Sequence, residues 1–305
     1  MNMEACPLEL HSYICQLAGL DDGKTIRALS LVSKYFCEVA RPYIYQCLSI
    51  SGPVQVNILL SKLESTPSHL RHIRHLFLSD KTFDKPARNP RSTPPASEPS
   101  AVTRILTLAA PTLESLTLVY SNPITGTYAI ARLFRLSFPH LRELSVSGFY
   151  PYPSLPGRFP RLTHLHLHGN RNPHGLLQTG GLDEACPSLT HLRVSGLSTA
   201  VSFAQELQQA FSDDEETASL FPSRLPPHME YVVVQPGSPG LAGKSPSATL
   251  HKRDEVMKER LAAVKKFATK GVRYNMLEGS EVGPVLEAFK RDWVDRLEGG
   301  HGGWA

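Results

Sequence analysis

The side chains in this sequence with the most obvious chemical potential are three histidines that alternate along one short segment, His164, His166 and His168. Alternate side chains of a strand point to the same side about 6.6 Å apart, whereas zinc needs nitrogens about 2 Å from the metal. His191 falls on the next segment of this kind and could pair with His164. Because no cysteine or carboxylate lies nearby in sequence, we expect no metal site here.

Other signatures of catalysis are missing from the sequence. It has no G-x-S-x-G nucleophile elbow, no G-x-x-x-x-G-K-[ST] phosphate loop and no H-E-x-x-H zinc motif. The five cysteines are Cys6, Cys15, Cys37, Cys47 and Cys186, and without a C-x-x-C pair they are too few for a zinc-stabilised RING. We therefore predict a protein that is not an enzyme and uses no cofactor.

The composition limits which cellular compartments and which classes of binding partner we expect. An odd number of cysteines on apolar stretches is typical of reduced thiols rather than of a secreted disulfide framework. No apolar run approaches the roughly 20 residues that a membrane span requires. A net charge of +4 over 305 residues gives no reason to expect nucleic-acid binding. We expect a cytoplasmic or nuclear protein that binds neither nucleic acid nor membrane.

The elements that must position these side chains come from a repeat. A template of one apolar residue, two others, a second apolar residue, one other and a third apolar residue occurs seven times. The copies are Tyr45/Leu48/Ile50, Ile73/Leu76/Leu78, Leu113/Leu116/Leu118, Leu141/Leu144/Val146, Leu162/Leu165/Leu167, Leu189/Leu192/Val194 and Met229/Val232/Val234. The last two apolar positions alternate as on a strand with one buried side.

The distances between copies support a stack of repeats. The middle apolar positions lie 28, 40, 28, 21, 27 and 40 residues apart, and four of these spacings suit a leucine-rich repeat. Each long spacing contains an insert, the Pro/Ser-rich 84–100 and the partly acidic 212–224. The segments Tyr128–Leu136 and Val201–Phe211 have helical spacing. The pattern predicts an α/β fold, a solenoid of parallel strands over residues 43–237 with helices and loops on its convex side.

Both ends of the chain have a helical pattern. Residues 1–42 predict three short helices, the third capped by Ser33 and ended by Pro42. After a linker at 238–250, residues 251–305 predict a helix, a strand around Tyr274 and a last helix that starts near Pro284. We interpret this C-terminal region as a cap for the stack, although a separate small domain is an alternative.

Two families resemble this chain. The repeat region is similar to degenerate leucine-rich repeats, in which only Asn170 supplies the asparagine usual after the last core leucine. Residues 6–40, with Cys-Pro-Leu-Glu-Leu at 6–10, Ile14 and Leu-Ser-Leu-Val-Ser-Lys-Tyr-Phe at 29–36, resemble an F-box. The combination is similar to F-box-like proteins abundant in mushroom-forming fungi. The resemblance implies a substrate-receptor subunit of an SCF-type, cullin-based ubiquitin ligase.

The resemblance implies one set of contact residues, and the outward positions of the predicted strands give a second. The helices would bind a Skp-family adaptor through Pro7, Leu10, Ile14, Leu29, Val32, Lys34 and Phe36. The concave face would hold an unidentified target protein through outward strand residues, His75, Phe77, Glu143, His164, His166, His191, Arg193 and Tyr231. The alternative is an interaction scaffold without a link to ubiquitin, in which residues 6–40 only cap the solenoid.

Overall fold

The structure, a computed structural model, describes residues 7–82, 99–150, 155–212, 222–237, 248–267, 271–279 and 285–304. Cys6, most of the inserts 84–100 and 212–224, and most of the linker 238–250 lie outside the described residues. The chain forms two compact units. The first comprises Met1–Val119 and Val285–Ala305, and the second comprises Tyr120–Pro284.

The first unit contains three parallel strands with helices on both faces. The strands are β1 (Cys47–Ser51), β2 (His75–Ser79) and β3 (Ser115–Val119), in that order. The helices are α1 (Leu8–Ala18), α2 (Lys24–Ser30), α3 (Lys34–Ala40), α4 (Gly52–Ser65), α5 (Pro99–Ala109) and α10 (Val285–Leu297). Short 3-10 turns occur at Arg41–Tyr43 and Ser68–Leu70.

The second unit contains five parallel strands in sequential order. They are β4 (Glu143–Ser147), β5 (His164–His168), β6 (His191–Leu197), β7 (Tyr231–Pro236) and β8 (Arg273–Met276). The helices are α6 (Pro123–Leu133), α7 (Leu182–Ala185), α8 (Val201–Phe211) and α9 (Ala248–Val264). The predicted α/β class with parallel strands is therefore confirmed.

The register of the strands follows the repeat template. In the first unit Leu48 pairs with Leu76, which pairs with Leu116. In the second, the same template position runs through Leu144, Leu165, Leu192 and Val232. These aliphatic side chains are at most 3% exposed, because each strand buries its apolar side against its neighbours and the covering helices. All seven segments predicted from the template are strands, and β8 is the predicted strand around Tyr274.

Helix boundaries follow local sequence signals. The Ser33 hydroxyl accepts a hydrogen bond from the Phe36 N–H at 3.1 Å and caps α3, as predicted. Asn122 caps α6 in the same way, so this helix runs from Pro123 to Leu133 rather than over the predicted 128–136. Helix α8 has its predicted bounds.

Glycines follow several strands of the second unit and bring neighbouring backbones into contact. Gly169 has φ +104°, and a Cβ there would lie 2.7 Å from the Gly148 carbonyl oxygen. Gly237 packs on the backbone of Gly196 in a similar way. The main chain can make this close approach only where side chains are missing. We had not predicted this stack, although Gly52, Gly148, Gly169 and Gly196 occupy the same template position.

The C-terminal region departs from the predicted cap. Helix α9 packs on α8, and β8 pairs with β7, as a cap of the second unit would. Helix α10, in contrast, belongs to the first unit, where it packs on β2 and β3. Residues 251–305 therefore do not form a single cap, because the apolar side chains of the last helix pack on the first strands.

Candidate protein-binding surfaces

The three N-terminal helices enclose a small core of their own. Cys15, Ile26, Phe36, Val39 and Ala40 are buried, and Leu29 and Tyr43 pack against them. His11 is 2% exposed and its Nδ1 lies 2.8 Å from the Tyr35 hydroxyl. The side of α1 that faces the core thus carries a histidine and a cysteine, one turn apart.

The opposite side of α1 exposes large apolar side chains to solvent. Leu10, Ile14 and Leu17 follow one another at spacings of four and three, so they lie on one side of the helix. Ile14 is 49% exposed, and Leu31, in the turn between α2 and α3, is 86% exposed. We use the name N-terminal apolar face for all the large apolar side chains that the three helices expose; among them, Leu8 lies on the His11 and Cys15 side of α1. Its members are Leu8, Leu10, Tyr13, Ile14, Leu17, Leu31, Val32 and Tyr35.

The structure divides the residues predicted to bind the adaptor. Those that are exposed are Pro7, Leu10, Ile14, Val32 and Lys34. Leu29 is partly buried against the helical core. Phe36 is a correction: its ring is 9% exposed and packs 5.4 Å from the His11 ring, so it holds the helices together and cannot anchor a partner.

The exposed members that sequence reasoning had not selected are Leu8, Tyr13, Leu17, Leu31 and Tyr35. The signal that could have identified Leu17 was present, since it continues the stripe of Leu10 and Ile14. Leu31 and Tyr35 have no such periodic signal. Their exposure depends on how α2 and α3 pack, which is a tertiary property.

One row of outward side chains forms a stacked ladder across the second unit. Glu143, His164, His191, Tyr231 and Arg273 are register partners on β4 to β8. The His164 and His191 rings stack with centroids 4.2 Å apart, and the Tyr231 ring meets His191 edge-on at 5.9 Å. The Arg273 guanidinium lies 4.9 Å from the Tyr231 ring centre. We call this row the outer ladder; sequence reasoning had selected its first four members but not Arg273.

The neighbouring row of outward positions is largely buried and makes a polar network. His166 is 6% exposed, and its Nε2 lies 2.7 Å from the Ser195 hydroxyl, which also contacts His168 Nδ1 at 3.0 Å. Arg193 donates to the Gln235 side-chain oxygen at 3.0 Å. His166 is therefore a correction, because a target could not reach it, and Arg193 is engaged within the unit.

Burial governs the protonation of this network. Desolvation, together with the charges of Arg193 and His168, lowers the pKa of His166 well below 6.5. Desolvation and Arg193 likewise lower the pKa of His168 to about 4. Both imidazoles are thus neutral at neutral pH.

In the first unit the predicted target-binding residues are engaged by the chain itself. His75 Nδ1 lies 3.0 Å from the Ser115 hydroxyl. Phe77 is fully buried under α10, in a cluster with Cys47, Val119 and the helix residues Phe289 and Trp293. Phe77 is a further correction, since no sequence signal reveals that a helix more than 200 residues downstream covers it.

The described part of the chain gives little support for thiol chemistry, metal binding or a membrane span. Burial raises the pKa of the Cys47 thiol to about 12 and that of Cys186 to about 12, so neither is a thiolate at neutral pH. Among the residues that the structure describes, no three His, Cys, Asp or Glu side chains come together as a metal site. None of the described helices has the length and apolar character needed to cross a membrane.

Comparison with known proteins adds no further assignment. No protein-family model matches the chain, and the search for similar curated proteins finds no match. The coordinates define the class alone: an α/β protein with parallel strands in two units, an N-terminal helical bundle that exposes apolar side chains, and a ladder of aromatic and charged groups.

Proposed function

We propose that this chain is a substrate receptor of an SCF-type, cullin-based ubiquitin ligase. Its N-terminal apolar face would dock on a Skp-family adaptor, and the outer ladder would hold a target protein. Ubiquitin transfer would be carried out by other subunits, and this chain would contribute by raising the effective concentration of the target. A cytoplasmic or nuclear location belongs to the same proposal.

The observation that carries the proposal is the reversed polarity of α1. An amphipathic helix in an isolated domain buries its leucines and exposes its polar groups. In α1, His11 and Cys15 face the core, whereas Leu10, Ile14 and Leu17 are about half exposed. An apolar surface of this kind is typical of a protein interface. A helical module that only capped a solenoid would bury these side chains.

The chemistry of the outer ladder supports the second half of the proposal. Tyrosine, tryptophan and arginine are enriched among the residues that contribute most of the affinity at protein interfaces. Aromatic rings bury a large area with few rotatable bonds. His164 is already stacked on His191, and the Tyr231 ring already meets His191 edge-on, so binding would restrict few additional rotamers. Glu143 and Arg273 give the two ends of the row opposite charges.

A matched pair of substitutions tests the adaptor site. Ile14→Asp places a charge on the N-terminal apolar face, whereas Ile124→Asp makes the same change at an 81% exposed position of α6. Both variants should keep the wild-type melting temperature, because neither side chain belongs to a core. Only Ile14→Asp should weaken capture of the purified adaptor, by about tenfold or more in Kd.

Two results would count against this proposal. Equal capture of both variants would remove the N-terminal apolar face as the docking site. A wild-type protein that captures no adaptor, while Ile14→Asp unfolds it, would favour the scaffold in which the helices only form a cap.

A further inference from the structure

Helix α10 lies on the outward face of β1, β2 and β3, where three apolar side chains are set among polar neighbours such as Ser49, His75 and Thr117. We call this site the groove. Cys47, Phe77 and Val119, one from each strand, are at most 2% exposed. Phe289 and Trp293, one turn apart on α10, complete this cluster, and the Phe77 and Trp293 ring centres lie 5.7 Å apart. Partly buried residues of α10 border the contact, Val285, Leu286, Val294 and Leu297.

A basic residue adds charge complementarity to the groove. The Lys290 ammonium lies 3.2 Å from the Asp22 carboxylate, which is in the loop between α1 and α2. The same ammonium lies 4.3 Å from the Trp293 ring centre and 5.3 Å from that of Phe77. The groove therefore selects three features of a helix: two aromatic side chains at i and i+4, and a cation at i+1.

The contact between α10 and the groove is imperfect, in contrast to an ordinary core. Asp22 Oδ1 and Trp293 Nε1 are buried, and neither has a hydrogen-bond partner among the residues described. Native cores pair nearly all such atoms, because each unpaired one loses its hydration without compensation. Burial also lowers the pKa of Lys290, although the Asp22 carboxylate acts in the opposite direction. The costs at Trp293 and Lys290 would disappear if α10 left the groove.

The three strands do not depend on α10 for their other face. Their aliphatic template residues are buried on the opposite side, where α4 contributes Val56, Leu59 and Leu63 to the core. Helix α4 packs in turn on α5. The sheet can therefore persist with its outward face open, as a binding groove requires.

We propose that the outward face of β1–β3 is a helix-binding groove, occupied in cis by α10, that an amphipathic helix of a partner protein can occupy instead. The partner helix carries aromatic side chains at i and i+4 and a lysine or arginine at i+1, the pattern of Phe289, Lys290 and Trp293. Helix α10 is thus a built-in competitor. The proposal does not depend on adaptor docking, since no residue of the N-terminal apolar face takes part.

Hydrogen exchange of the full-length wild-type protein gives the first test. If α10 leaves the groove by local opening, its amides should exchange roughly 100-fold faster than those of β2 and β3. Exchange of α10 only together with these strands would overturn the proposal, because the helix would then be an integral part of the core.

Peptide binding gives the second test. The probe is a fluorescent synthetic peptide of residues 285–300, added to full-length wild type and to a full-length Phe289→Ala/Trp293→Ala variant. The variant should bind the peptide with a Kd at least about tenfold lower than the wild type, because its own α10 no longer competes. A peptide carrying Lys290→Glu should bind the variant no more tightly than it binds the wild type, since it would place a carboxylate beside Asp22.

Circular dichroism shows whether the double variant is folded. If it is not folded, the full-length Lys290→Ala variant, which keeps both aromatic side chains, is used instead. It should also bind the peptide with a lower Kd than the wild type does. Equal peptide affinity for wild type and the folded variant would overturn the proposal. A wild-type dimer in light scattering that dissociates when α10 is altered would also overturn the proposal. The groove would then be occupied by α10 of a second copy of this chain.

Discussion

Replacing His168 with glutamine should reduce the loss of stability that the wild-type protein shows between neutral and mildly acidic pH. In the folded chain His168 and His166 share the Ser195 hydroxyl, and their pKa values are lowered, that of His168 to about 4. In the unfolded chain both imidazoles titrate near 6.5. On acidification the unfolded state therefore takes up protons before the folded state does, and the equilibrium shifts toward unfolding.

The size of the effect follows from linkage. A histidine with a pKa of 6.5 when unfolded and about 4 when folded loses about 2 kcal/mol of stability between pH 7 and about pH 5. Burial also lowers the pKa of His166, so this histidine loses stability on acidification in the same direction. The stabilising contribution is complete above pH 6.5 and is lost as the pH falls toward the folded-state pKa values.

Urea unfolding at several pH values between about 7 and 5 measures this loss, because carboxylates of ordinary pKa stay ionised over most of that range. The His168→Gln variant should lose about 2 kcal/mol less than the wild type over the interval. His251→Gln, an exposed replacement on α9, controls for removal of an imidazole. Identical pH dependence in the wild type and His168→Gln would refute the reasoning.

Three further outcomes follow from packing and burial. Gly169→Ala should destabilise the protein by about 3 kcal/mol, because its Cβ would meet the Gly148 backbone. Gly157→Ala, with open space around it, should lose only about 1 kcal/mol, and thermal unfolding distinguishes the two variants. Glu206→Gln should lose about 1–3 kcal/mol in urea unfolding. The backbone N–H groups of Gly175 (2.7 Å) and Leu177 (2.5 Å) donate to different oxygens of this carboxylate, and Gln replaces one of these oxygens with an NH₂ group that cannot accept; unchanged stability would contradict this assignment. A maleimide at neutral pH should modify exposed Cys37 in the native protein but reach Cys186 only after denaturation, as mass spectrometry of the digested protein would show.

The strands could be predicted because their signal is local. Each copy of the template places two aliphatic residues at a spacing that only a strand turns to one side, as in Leu165 and Leu167. Seven weak signals at compatible spacings reinforce one another, so strand positions followed from the sequence alone. The predicted helices at Val201–Phe211 and near Met257 rest on equally local periodicity.

The site was harder to predict because exposure is a tertiary property. Only the family resemblance predicted Leu10 and Ile14 as contact residues, since hydrophobicity alone would bury them. In the structure the space between α1 and α3 is filled by Cys15, His11 and the Phe36 ring. The outward position of Phe77 followed from its strand, but its cover did not, since α10 docks across a large sequence separation. His166 shows the same limit, because alternation indicates the side of the sheet but not the depth of burial.

The return of α10 to the first unit has a consequence for biosynthesis. The ribosome completes β1, β2 and β3 early but produces α10 only after the whole second unit, a delay of roughly 10 to 30 seconds at ordinary elongation rates. During that interval the nascent chain presents Phe77 and its neighbours uncovered, as a surface on which chaperones can act. A chain that ended before α10 would keep Phe77 and its neighbours uncovered after release from the ribosome.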